Sequence, residues 1–142
     1  MNMQKVSALH VVGLLAFLGL ALGFHLWWSS PSVSGSLRID GVEHAAARCS
    51  GFARGVQIYL DGEEHHYITG GITSDGSLRV TFDGEDVAGC ADAQLDAAEG
   101  QITTSRSGAR RPVIGGTLSI DCVSQRGETL QGRFEFDRCR QD

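Results

Sequence analysis

The chain has 142 residues, of which 42% are hydrophobic, 7% aromatic and 20% charged, and its net charge is −5. That length holds one modest domain, which excludes a multidomain enzyme and a polytopic membrane protein. The acidic balance excludes a strongly basic nucleic-acid binder, and 19 glycines with few aromatics point to turns and short strands rather than long helices.

In chain order, residues 1–5 read as a cytoplasmic stub and residues 6–28 as an apolar run without Asp, Glu, Lys or Arg. As a helix this run measures roughly 35 Å, enough to cross a hydrocarbon core of about 30 Å. It reads as a transmembrane anchor, with Lys5 on the cytoplasmic side and Trp27 and Trp28 at the far interface. The alternative is a cleavable signal peptide with Ala21-Leu22-Gly23 as the small-x-small site before Phe24. The length of the run and its closing Trp pair favour the anchor. Both readings carry the rest of the chain out of the cytoplasm, and no positive residue follows Lys5 until Arg38. Residues 29–35 read as a polar linker, and residues 36–142 as an extracytoplasmic domain.

Within that domain turn signals recur about every ten residues, the spacing of a sandwich or barrel. Asp40-Gly41, Asp61-Gly62 and Asp75-Gly76 each border alternating apolar runs, and Asp-Gly supplies the positive φ values that tight hairpins need. The expected fold is all-β: a small antiparallel β-sandwich or barrel-like domain of about 7–8 strands. A turn centred on Gln125-Arg126-Gly127 sets Leu118 opposite Phe134, Ile120 opposite Gly132 and Cys122 opposite Leu130. The apolar side chains then share one face, while Ser119, Asp121, Arg133 and Glu135 share the other, and a slip of one residue would destroy that sorting.

All four cysteines, Cys49, Cys90, Cys122 and Cys139, follow the apolar run. An even count in a small exported domain reads as two disulfides, and no Cys-x-x-Cys or His-x-x-x-His spacing supports zinc. The hairpin register would hold Cys122 and Cys139 roughly 25 Å apart, which disfavours that pair and its complement Cys49–Cys90. Two connectivities remain: Cys49–Cys139 with Cys90–Cys122, which is preferred because it ties the first hairpin to the last strand, or Cys49–Cys122 with Cys90–Cys139.

The alternation breaks after Asp83. The stretch to Glu99 is acidic with no basic residue, and residues 91–98 read as a short helix or loose loop. It lacks the Asp-x-Asp-x-Asp-Gly spacing of a helix-loop-helix calcium site, so a solvated acidic surface is the simpler reading. His44, His65 and Glu63 are the metal-ligand candidates. His65 and His66, being adjacent, would point to opposite faces of a strand, so an exposed polar edge is the competing reading. Arg106, Arg110 and Arg111 form the one basic cluster. No Gly-x-Ser-x-Gly elbow occurs, and Gly70-Gly71 and Gly115-Gly116 lack the Lys-Ser/Thr of a phosphate loop, so they read as strand bends or bulges.

The layout Leu37-Arg38-Ile39-Asp40-Gly41, then Cys49-Ser50, then Phe134 to Cys139 resembles that of the LpqH-like lipoprotein antigens of the mycobacterial cell envelope. Unlike them, this chain has no cysteine before Cys49 to acylate, and it carries Cys90 and Cys122 as well. The resemblance implies a surface-displayed β-sandwich without enzymatic activity and adds support to a Cys49–Cys139 bridge. The reading as a whole is a membrane-anchored, non-catalytic binding or structural module of the cell envelope. It has no cofactor, contacts the membrane and an envelope or protein partner, and binds no nucleic acid. A secreted metal- or small-ligand-binding protein and a hydrolase with an unrecognised site are the alternatives.

Overall fold

The computed structural model describes residues 16–17, 19–20, 30–103 and 108–141. The anchor or signal segment therefore lies almost wholly outside the described residues, as does Arg106. Residues 16–17 and 19–20 are helical, and among the described residues no helix is long and apolar enough to cross a membrane.

From residue 31 the described residues form one unit of nine strands. They are β1 (Ser32–Ile39), β2 (Val42–Phe52), β3 (Gly55–Leu60), β4 (Tyr67–Ile72), β5 (Leu78–Phe82), β6 (Glu85–Asp86), β7 (Gly89–Thr103), β8 (Arg110–Val123) and β9 (Thr129–Arg140). All pair antiparallel in a single curled sheet of order β6-β5-β4-β3-β2-β1-β9-β8-β7, a half-barrel. The all-β expectation holds. The count is nine rather than 7–8, and one continuous sheet replaces the two facing sheets of a sandwich, because β2 serves both ends. Residues 42–45 of β2 pair with β1, and from Ala46 the strand pairs with β3, in a ladder that shifts register between Ala46 and Arg48. A bulge of this kind bends a strand and sharpens its twist, which turns the sheet back over its own interior.

Alternation explains the core. Val56, Ile58 and Leu60 of β3, Ile68 of β4, and Val80 and Phe82 of β5 are buried on one wall. Leu118, Ile120 and Cys122 of β8 and Leu130, Phe134 and Phe136 of β9 are buried on the other. The walls meet at Gly70, where an added Cβ would stand 2.8 Å from Leu118 Cδ1. The β8–β9 register is the one read from the sequence: Leu118↔Phe134, Ile120↔Gly132 and Cys122↔Leu130.

Three segments depart from expectation. β1 begins at Ser32, inside the segment read as linker, because Ser32↔Asp137 and Val33↔Phe136 extend its ladder with β9. Residues 91–98 are neither helix nor loop but the middle of β7. Pairing with β8 from Gly89↔Val123 to Thr103↔Arg110 overrides the local preferences of Ala and Asp. The Asp-Gly pairs also differ among themselves. Asp40 and Gly41 both take positive φ, 49° and 81°, as a two-residue hairpin requires. Asp61-Gly62 and Asp75-Gly76 lie in longer connections. Asp83-Gly84, within the stretch read as irregular, forms a second tight turn with φ of 50° and 84°.

The cysteines form Cys49–Cys139 and Cys90–Cys122. The first closes the corner that β2 makes with β9, beside a parallel bridge between Gly51 and Gln141. The second joins residues directly opposite each other on β7 and β8. Such crosslinks belong to proteins that mature in an oxidising compartment.

Candidate functional site

The alternation that buries one face of β2–β5 places a polar and aromatic lattice on the other. Cross-strand pairing sets these outward residues in three rows. Arg48, Tyr59 and Tyr67 form the first, Ser50, Gln57, Thr69 and Thr81 the second, and Phe52, Gly55, Gly71 and Arg79 the third. In the first row the Arg48 guanidinium carbon lies 4.1 Å from the Tyr59 ring centroid, and the Tyr59 and Tyr67 rings are 6.0 Å apart. In the third row the glycines have a steric purpose. A Cβ on Gly55 would meet the tip of the Phe52 ring at 2.2 Å, and one on Gly71 would meet it at 2.8 Å. Phe52 therefore lies across two bare stretches of backbone while remaining 37% exposed.

Beside it opens a trough of about 410 Å³ lined by Phe52, Thr69, Gly71, Thr73, Arg79 and Thr81, with Ile72 and Gly84 at its margins. Arg79 donates from its Nε to Asp86 Oδ1 at 2.6 Å and from a terminal nitrogen to Asp86 Oδ2 at 3.0 Å. These hydrogen bonds hold the Asp86 carboxyl below its ordinary range and the guanidinium above its own. At one end Asp75 accepts hydrogen bonds from the hydroxyls of Thr73 and Ser77 and from the Ser77 N–H, which push its carboxyl down to about 2.

A second cluster lies in the β3–β4 connection. His66 Nδ1 is 2.6 Å from Asp83 Oδ2, and its Nε2 is 2.6 Å from Glu64 Oε2. Asp83 also accepts from the Tyr67 N–H at 3.0 Å, while the His66 ring stacks on Phe82 and meets the His44 ring edge-on at 5.7 Å. Burial pushes the imidazole down, but the hydrogen bonds and charges of Asp83 and Glu64 outweigh it, so His66 titrates above its ordinary value. With a carboxylate on each ring nitrogen, His66 is set up as a structural imidazolium rather than as a free base.

The histidine joined to His44 is thus His66. His65 is exposed and holds φ of +52°, a conformation outside the strand alternation on which its sequence reading rested, and Glu63 is exposed beside it. His44 Nδ1 approaches the Asp61 carbonyl at 3.4 Å. Among the described residues no group of three or more His, Cys, Asp or Glu is placed to hold a metal ion. The acidic residues after Asp83 are dispersed: Asp86 binds Arg79, while Glu99 accepts from the Arg54 N–H at 2.9 Å. Arg110 and Arg111 are exposed at the start of β8. Gly115 and Gly116 sit at a register shift in β8, whereas Gly70 and Gly71 lie in a regular strand, one against the core and one beneath Phe52. Sequence reasoning missed the trough; the signal for it was the set of outward residues, Tyr59, Tyr67, Thr69 and Thr81, alternating with the core positions. Comparison with protein-family models, with curated proteins and with solved structures gives no match.

Proposed function

We propose that this chain is a non-catalytic binding module of the cell envelope, tethered by residues 6–28 and contacting its ligand through the outer face of β2–β5. The observation that carries the reading is the trough itself. It is open, floored by small side chains, edged by an exposed aromatic ring, and the one charged residue of its lining, Arg79, is already paired with Asp86. Such a surface recognises by shape and hydrogen bonding and offers no poised acid, base or nucleophile. The two disulfides support an extracytoplasmic domain, and the charge-free segment before it supports a membrane anchor. The likeness to LpqH-like envelope antigens is consistent with display at a surface.

Cell fractionation combined with thiol mapping tests the reading. The tagged full chain is expected in the membrane fraction, with its domain open to protease from the extracytoplasmic side and all four cysteines oxidised. A chain in the cytosol with four reduced thiols would defeat it.

A further inference from the structure

We infer that the trough beside Phe52 is a binding site for a neutral oligosaccharide, a proposal that rests on the binding-module reading and names its ligand class. Three features of the site converge on that chemistry.

The first is charge. Arg79 and Asp86 are held in a two-bond pair at 2.6 and 3.0 Å, so the trough presents no uncompensated charge to an ion. An anionic ligand would have to compete with Asp86 for Arg79, and the chain as a whole is acidic. A neutral ligand meets no such opposition. The second is the character of the polar groups. Thr69 and Thr81 are cross-strand partners on the floor, and Thr73 stands at the end. The hydroxyls of Thr69 and Thr81 can each donate and accept, which matches the hydroxyls of a sugar, whereas that of Thr73 already donates to Asp75. The outer edges of a planar Arg–carboxylate pair keep donors and acceptors side by side, an arrangement that suits vicinal hydroxyls. The third is the apolar element. Phe52 is supported from beneath by the backbone at Gly55 and Gly71 and is still 37% exposed, so its ring can receive the C–H face of a pyranose. The volume, about 410 Å³, lies in the range of small-molecule sites.

The test uses the full oxidised chain in a sugar-free zwitterionic detergent, with chitotriose and cellotriose as neutral probes and a heparin tetrasaccharide as the anionic control. Binding is followed by saturation-transfer and amide-shift NMR. The expected result is a millimolar dissociation constant for a neutral trisaccharide, with shifts centred on Thr69, Gly71, Arg79 and Thr81. Phe52→Ala is expected to weaken it about ten-fold. Because that change uncovers two glycines, Thr81→Val supplies a second variant, expected to weaken binding about five-fold with an unchanged amide spectrum elsewhere. Glu135→Gln, on the outward face of β9, should leave affinity unchanged. No binding of either neutral sugar at about 20 mM, shifts centred elsewhere, or tighter binding of the heparin fragment would overturn the proposal. None of these outcomes touches the fractionation and thiol mapping, so a failed ligand class and a failed envelope-module reading remain distinguishable.

Discussion

His66 Nδ1 and Asp83 Oδ2 stand 2.6 Å apart, joining the β3–β4 connection to the turn after β5 across 17 positions of chain. Glu64 takes the other ring nitrogen at the same distance, so both contacts are full hydrogen bonds only when the ring carries two protons.

The pH dependence follows from that arrangement. Because the folded pKa lies above the ordinary 6.5, the stabilisation is complete below about pH 6.5 and is lost as pH rises through the folded value. The thermal midpoint should therefore fall as pH rises above about 6.5, and His66→Gln should remove most of that slope. A scan of melting temperature against pH for both proteins checks this; parallel curves would contradict it.

The crosslinks should differ in weight. Cys49–Cys139 spans 90 positions and Cys90–Cys122 spans 32. The larger loop restricts the unfolded chain more, so Cys49→Ser/Cys139→Ser is expected to cost about 4 kcal/mol, roughly 1 kcal/mol more than Cys90→Ser/Cys122→Ser. Urea unfolding of the two double variants measures the difference.

Gly70 has no room for a side chain. A Cβ there would lie 2.8 Å from Leu118 Cδ1, and Leu118 is fully buried. Gly70→Val should therefore destabilise by about 2–3 kcal/mol through overpacking, whereas Gly89→Ser, where an added Cβ meets nothing within 4 Å, should cost less than about 1 kcal/mol. Chemical denaturation of both variants makes the comparison.

Asp40 stitches the first hairpin to the last. Its Oδ1 accepts from the Thr129 N–H at 2.9 Å, while its backbone holds φ of 49°. Asp40→Ala loses the hydrogen bond and places a less tolerant residue at positive φ, so a loss of about 1–2 kcal/mol is expected, measured by urea midpoint. Asp40→Asn should recover the conformational part.

Local pattern determined a good deal of this protein. The alternation of Leu118, Ile120 and Cys122 against Leu130 and Phe134 specifies a hairpin register, because a shift of one residue would turn every apolar side chain outward. Asp40-Gly41 specifies a tight turn by backbone sterics alone. Tertiary structure decided what those rules do not reach. β1 beside β9, the strand conformation of residues 91–98 and the union of His66 with Asp83 each depend on partners distant in the chain. His66 rather than His65 enters the cluster because the connection leaves the extended conformation at His65, where alternation ceases to predict direction. Phe52 covers Gly55 and Gly71 only because β2, β3 and β4 are brought into register, so the trough exists in the folded sheet and in no single segment of it. Periodicity reports which face of a strand is apolar; the neighbour of that strand is chosen by the free energy of burying the whole sheet at once.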